Sequence, residues 1–158
     1  MTLDRRSFIK VLGSASGLAL AGCAAQGPVG STTEIMPKGA TRRVVVVGGG
    51  FGGAIAAKYI RMLDKSIEVV LVEQNRQFIS CPFSNFYIAG LMNDMSTLTI
   101  GYDKLAANHG IKMVYGVATA IDPAAKKVVT TEGTLTYDRL IVSPGIDFRN
   151  EEVEGYTA

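Results

Sequence analysis

Tryptophan is absent from this 158-residue chain, histidine occurs once and cysteine twice. One histidine and two cysteines cannot supply the three or four side chains that a zinc site takes, so no metal site is expected. Nor can Cys23 and Cys81 build a disulfide scaffold; with Cys23 in the leader or at the first mature position, Cys81 is expected to stay unpaired within the chain. Charge of one sign is also missing. Arg5, Arg6 and Lys10 against Asp4 account for the whole net +2, and the remaining residues carry 13 basic and 13 acidic groups. No basic stripe with interleaved aromatics is left, which excludes nucleic acid as the expected partner. What is present is 47% apolar residues, 19% charged residues and eighteen glycines, the balance of one globular α/β domain.

The first 22 residues read as an address. Arg5-Arg6-Ser7-Phe8-Ile9-Lys10 precedes an apolar, small-residue run over residues 11–21, shorter than the ~20 residues that span a bilayer. The paired arginines with Phe8 and Lys10 resemble the twin-arginine export signal, although Asp4 stands where Ser or Thr is usual. That route implies a periplasmic protein exported already folded; the alternative is a surface helix with a basic end. Leu20-Ala21-Gly22-Cys23 resembles a lipobox, which would make Cys23 a lipid anchor, whereas cleavage after Ala21 or Ala25 would leave none. Residues 23–40, rich in Gly, Ser, Thr, Ala and Pro, read as a flexible linker, with the packed domain (residues 41–158) starting near Thr41.

Residues 44–47 are four consecutive valines, the pattern of a strand buried on both faces of a parallel sheet. Gly48-x-Gly50-x-x-Gly53 follows, and Ile55, Tyr59, Met62 and Leu63 then recur at helical spacing. In a strand–turn–helix unit each glycine has a task toward a diphosphate. Gly48 permits the tight turn, Gly50 clears the approach, and Gly53 lets helix and strand pack closely, while the helix N-terminus favours the anion. Phe51 lies in the same turn. A second strand, residues 67–72, ends at Glu73, 20 residues after Gly53. A carboxylate there accepts ribose hydroxyls and repels a 2′-phosphate, which disfavours NADP.

The order beyond Glu73 resembles that of FAD enzymes rather than NAD enzymes. A helical stretch over residues 102–108, stopped by Gly110, leads to short strands at 111–117, 126–130 and 134–137 joined by Asp122-Pro123 and Glu132-Gly133 turns, a three-stranded antiparallel insert. Tyr137-Asp138-Arg139-Leu140-Ile141-Val142-Ser143-Pro144-Gly145 resembles the second flavin motif of that group, with Ser-Pro-Gly in place of Ala-Thr-Gly. The expected architecture is therefore α/β: a Rossmann-like FAD-binding domain with a parallel sheet and a small antiparallel insert, truncated after its first half. Besides the fingerprint residues, Val117, Pro144 and Gly145 are expected to contact the cofactor.

Val-Val-Val-Val-Gly-Gly-Gly-Phe-Gly-Gly, Ala-Ala-Lys-Tyr-Ile, Ser80-Cys81-Pro82-Phe83-Ser84-Asn85 and Tyr-Asp-Arg-Leu-Ile-Val-Ser-Pro-Gly-Ile together resemble the flavoprotein subunit of flavocytochrome c sulfide dehydrogenase over residues 41–158. The resemblance implies an FAD thioether at Cys81, sulfide as substrate and a cytochrome c subunit as electron acceptor. From the residues alone, a buried structural thiol and a redox thiol are the alternatives for Cys81. The family's redox cysteine pair has no counterpart here, so no catalytic residue is expected in the chain. Two rival readings stand beside this one: a relative of sulfide:quinone or NADH:quinone oxidoreductases, and a non-catalytic flavin-binding fragment. His109, at a helix end, is given no role, and packing is the preferred reading of Phe78, Phe83, Phe86 and Tyr87.

Overall fold

The computed structural model describes residues 33–147; residues 33–144 belong to one packed unit and 145–147 to a second. The export signal and Cys23 lie outside the described residues. Four parallel strands in the order β5-β2-β1-β9 form the main sheet: β1 (Arg43–Val47), β2 (Glu68–Glu73), β5 (Lys112–Tyr115) and β9 (Arg139–Val142). Their registers pair Val45 with both Val70 and Leu140, so β1 runs through the middle of the sheet. Consecutive side chains on a strand point to opposite faces, and here both faces are covered. Val44, Val46, Val69 and Leu71 pack with Ala57, Tyr102 and Ile111 under the helices. On the other face Val45, Val70, Val72 and Val114 pack with Val128, Leu135 and Tyr137. That burial on two sides is why the buried stretches of the central strands, residues 44–46 of β1 and 69–72 of β2, are made only of valine and leucine.

The helical layer contains α1 (Phe51–Leu63) and α3 (Asp103–His109). The helix after the glycine turn forms as expected, but its sheet-facing side is not the expected one. Gly53 and Ala57 are buried and Ile60 packs against the core, whereas Ile55, Tyr59 and Met62 are each 52% exposed and Leu63 is 86% exposed. A methyl group at Gly53 would lie 1.8 Å from the Gly48 carbonyl oxygen and 3.2 Å from a Val46 methyl. The helix thus approaches the sheet so closely that only small residues fit between them, and the larger apolar residues are displaced to its flanks. α3 stops where expected, at Gly110, which takes a left-handed φ of 63°.

The opposite layer is a three-stranded antiparallel sheet of β6 (Ala118–Asp122), β7 (Lys127–Thr130) and β8 (Thr134–Thr136). Here the reading of residues 111–117 as the first strand of the insert is corrected. Lys112–Tyr115 joins the parallel sheet beside β2, and the insert begins only at Ala118. Buried Gly116 makes the break, because a side chain there would strike Thr131 Oγ1 at 2.8 Å and the Glu132 side chain at 2.9 Å. The apolar run continues through the break and hides it. A further excursion, β3 (Gln77–Ile79), α2 (Ser84–Ile88) and β4 (Thr99–Gly101), pairs β3 with β4 outside the main sheet. Ahead of Thr41 the chain is already tied to this unit: Glu34 bridges Thr134, and the Met36 and Pro37 carbonyls accept hydrogen bonds from Arg43.

Candidate dinucleotide-binding site

At the C-terminal edge of the parallel sheet the end of β1, the start of α1 and the ends of β2, β5 and β9 converge. Gly48 takes φ 97°, a left-handed value that favours glycine, and a Cβ there would fall 2.0 Å from the Ser143 carbonyl oxygen. Its N–H bonds to the Val72 carbonyl at 2.8 Å, and the Ser143 N–H bonds to that of Val47 at 2.8 Å. The turn is therefore locked to strands on both sides. Gly53 is closed off as described above. Gly50 is the contrast: it caps α1 with φ −64°, and an added Cβ would meet only the Phe78 ring, at 3.8 Å.

α1 has no side-chain cap and no acidic residue in its first turn. Its earliest hydrogen bond runs from the Ala54 N–H to the Gly50 carbonyl, which leaves the N–H groups ahead of Ala54 directed beyond the helix end. Orphan N–H groups, the positive end of the helix dipole and an open approach at Gly50 form an anion cradle. Phe51, half exposed, meets Phe78 edge to face with centroids 4.9 Å apart.

Glu73 sits beside this cradle. One carboxylate oxygen accepts the Gly49 N–H at 2.7 Å, and the other accepts the Asn75 N–H at 2.9 Å. Each oxygen keeps acceptor capacity for a further donor such as a sugar hydroxyl. The Glu73 carbonyl takes the Gly116 N–H at 3.0 Å, which brings Val117, 45% exposed, to the same edge. Arg76 lies over the Tyr115 ring at 4.6 Å. The open Gly50, the uncapped helix and the free lone pairs of Glu73 fit the diphosphate and ribose of a dinucleotide.

Of the expected site residues, Gly48, Gly50, Phe51, Gly53 and Glu73 are together, and Val117 stands at the same sheet edge. The Pro144 nitrogen lies 3.4 Å from the position of a Gly48 Cβ. Gly145 takes φ 78°, which favours glycine, and belongs to the second unit. Cys81 is exposed, and the buried structural thiol reading therefore fails. It follows Phe78 by three residues, a reach of roughly 10 Å along extended chain. Its carbonyl accepts the Ser84 N–H at 3.0 Å, and nearby Phe83 takes a left-handed φ of 70°, uncommon for an aromatic residue. Phe78 touches the cradle, whereas Phe83, Phe86 and Tyr87 are 66%, 40% and 44% exposed, with the Phe83 and Phe86 rings packed on each other at 5.8 Å between centroids.

Two residues escaped the sequence reading. Tyr102, 4% exposed, donates its hydroxyl to the Gly49 carbonyl at 3.0 Å. Burial, with the nearby Glu73 carboxylate and Tyr115, pushes its phenol up to about 12. Ser143 closes the turn through its backbone and also limits Gly52, where a Cβ would lie 2.9 Å from its hydroxyl oxygen. Tyr102 leaves no sequence signal and Ser143 shows only as a motif residue, since both act on the turn from distant elements brought to it by the fold.

The sheet order, the glycine cradle and the acidic strand end define a nucleotide-binding α/β protein. The chain belongs to the pyridine nucleotide-disulphide oxidoreductase family, whose model matches residues 42–157. It is similar to the flavoprotein chain of sulfide dehydrogenase (flavocytochrome c) from Chlorobaculum thiosulfatiphilum, with 69% identity over 45 residues, 28% of this chain and 94% of that sequence. In fold it is similar to the sulfide:quinone oxidoreductase of Aquifex aeolicus, with a TM-score of 0.60 and 28% identity over 66% of this chain and 24% of that one. It also matches an NAD-dependent persulfide reductase from A. fulgidus, with a TM-score of 0.61 and 26% identity over 73% of this chain and 25% of that one. The chain thus spans about a quarter of these solved relatives. The resemblance seen in the sequence to the flavocytochrome c flavoprotein holds, and the family supports a flavin cofactor.

Proposed function

We propose that this chain provides the FAD-binding part of an exported flavoprotein that oxidises sulfide and passes electrons to a cytochrome c subunit. The observation that carries the reading is the cradle itself: Gly48 and Gly53 are closed by backbone, while Gly50 and the first N–H groups of α1 are open beside Glu73. Similarity to the sulfide dehydrogenase flavoprotein supplies the substrate class and the partner. In this reading the Gly50 and Phe51 backbone faces the diphosphate, Gly48 and Gly53 shape the turn that holds it, Glu73 holds the ribose hydroxyls, and Val117 borders the adenosine. The second flavin motif, with Pro144 and Gly145, is the expected flavin contact, and Cys81 carries a thioether to the flavin 8α carbon. The cofactor would supply two-electron acceptance; the chain binds and orients it. Export by the twin-arginine route to the periplasm, with Cys23 as a lipid anchor or lost with the leader, completes the proposal.

Exposed Cys81 leaves its sulfur accessible to a cofactor, which supports the covalent link. After acid denaturation of the purified protein, flavin fluorescence should migrate with the polypeptide on a gel. Cys81→Ala should abolish that band and keep reversible FAD binding; free flavin alone from the wild type would sink the thioether. The likeness to a sulfide:quinone oxidoreductase favours a second reading, in which electrons pass to a quinone. Sulfide-dependent reduction of cytochrome c but not of a soluble quinone supports the first reading, and the reverse supports the second.

A further inference from the structure

Two consecutive peptides of the glycine turn are held from opposite directions. The Gly49 N–H is drawn onto Glu73 Oε2 at 2.7 Å, while the Gly49 carbonyl takes the Tyr102 hydroxyl at 3.0 Å. Carbonyl and N–H of a trans peptide point to opposite sides. Fixing the Gly49 oxygen on buried Tyr102 therefore directs the Gly50 N–H the other way. That N–H makes no hydrogen bond within the described protein, and it belongs to the one glycine of the turn with open space before it. We propose that Tyr102 is a positioning residue of the dinucleotide site, holding the Gly49–Gly50 peptide so that the Gly50 N–H is aimed at the diphosphate. The proposal rests on the dinucleotide reading above.

An independent observation points the same way. The fingerprint leaves the residue after its first glycine free, yet glycine stands there, and a Cβ on Gly49 would meet the Tyr102 hydroxyl at 2.6 Å and its ring at 2.9 Å. Gly49 is accounted for by the tyrosine packed against it. Burial first, and the nearby Glu73 carboxylate after it, disfavour a phenolate, so the hydroxyl remains a donor throughout the neutral range. A protonated phenol is what the carbonyl requires.

The test uses the intact chain carrying Cys81→Ala and freed of flavin, titrated with ADP, which shares the adenosine diphosphate half of FAD, and with adenosine. Tyr102→Phe keeps the ring and removes the donor. It should weaken ADP about tenfold, roughly one net hydrogen bond in worth, and leave adenosine unchanged. Unchanged ADP affinity, or equal losses for both ligands, would overturn the proposal, the latter marking a merely structural role. Should the variant not fold, the Gly50 amide resonance of the flavin-free Cys81→Ala chain decides. It should shift on ADP addition while that of Gly49, already bonded to Glu73, moves less; a stationary Gly50 amide overturns the proposal. If the flavin-free Cys81→Ala chain with Tyr102 intact binds neither ADP nor FAD, the dinucleotide reading itself fails, an outcome distinct from the others.

Discussion

The two edges of the parallel sheet are built on opposite rules. At the N-terminal edge, Arg43 is fully buried, and its guanidinium bonds to Glu68 Oε2 at 2.5 Å and to the Met36 and Pro37 carbonyls at 2.7 and 3.2 Å. Lys112 pairs with the other oxygen of Glu68, and Asp138 takes the Arg43 N–H at 2.6 Å and Lys38 at 3.1 Å. At the C-terminal edge, four valines further along β1, the turn is made of glycine, the helix is uncapped and N–H groups point out. Closure marks the edge that holds the strands together, and unmet hydrogen bonding marks the edge that receives a ligand.

Glycine substitutions should break the comparison most sharply. Gly53→Ala sets a methyl 1.8 Å from a backbone carbonyl, and Gly48→Ala adds a left-handed φ to a 2.0 Å overlap. Neither clash can be relieved by a side-chain rotation, so each should cost about 3 kcal/mol or more, read as a fall in the urea midpoint. Gly50→Ala should cost less than about 1 kcal/mol, since its Cβ makes ordinary contact, yet weaken FAD more than about tenfold by filling the approach. Normal FAD binding by Gly50→Ala would show that the open side is not the ligand's.

Arg43→Met should sharpen the contrast from the other edge. Removing Arg43 leaves Glu68 with Lys112 as its remaining partner and strips the Met36 and Pro37 carbonyls of their donor, at about 2 kcal/mol. FAD affinity, measured well below the melting temperature, should not change. A stability loss accompanied by weaker binding would mean that the two edges are coupled through the strands.

The glycine edge was legible in the sequence because its constraints are local: close backbone approach admits only glycine, and the demand falls on residues a few positions apart. Glu73 was legible for a related reason, since the helix and strand between it and Gly53 have a set length. Tyr102 was not, because its bond to Gly49 spans 53 positions and depends on how the excursion from β3 to β4 returns the chain to the sheet. The buried face of α1 was misread by the same physics that made the fingerprint visible. A helix pressed against a strand at Gly53 buries small residues, and hydrophobic periodicity weighs large ones. Gly116 likewise ended a strand inside an unbroken apolar run.

The smallest effect concerns acid stability and isolates the closed edge. Burial pushes the Glu68 carboxyl up, but its bonds to Arg43 and Lys112 outweigh this and hold it below its ordinary 4.5. A carboxyl with a lowered folded value binds fewer protons than in the unfolded chain, so its contribution is fully present above about pH 4.5 and lost as pH falls through the folded value. Glu68→Gln keeps the shape and one acceptor toward Arg43 while removing the charge. It should lower stability at neutral pH by about 1 kcal/mol and flatten the decline in urea midpoint below pH 4.5. The slope that remains belongs to Asp138, lowered by the Arg43 N–H and Lys38, and to Asp64 and Asp94, lowered chiefly by Ser66 and Ser96. An undiminished acid slope in the variant would mean that Glu68 is protonated alike in folded and unfolded chains, and that shape rather than charge closes this edge.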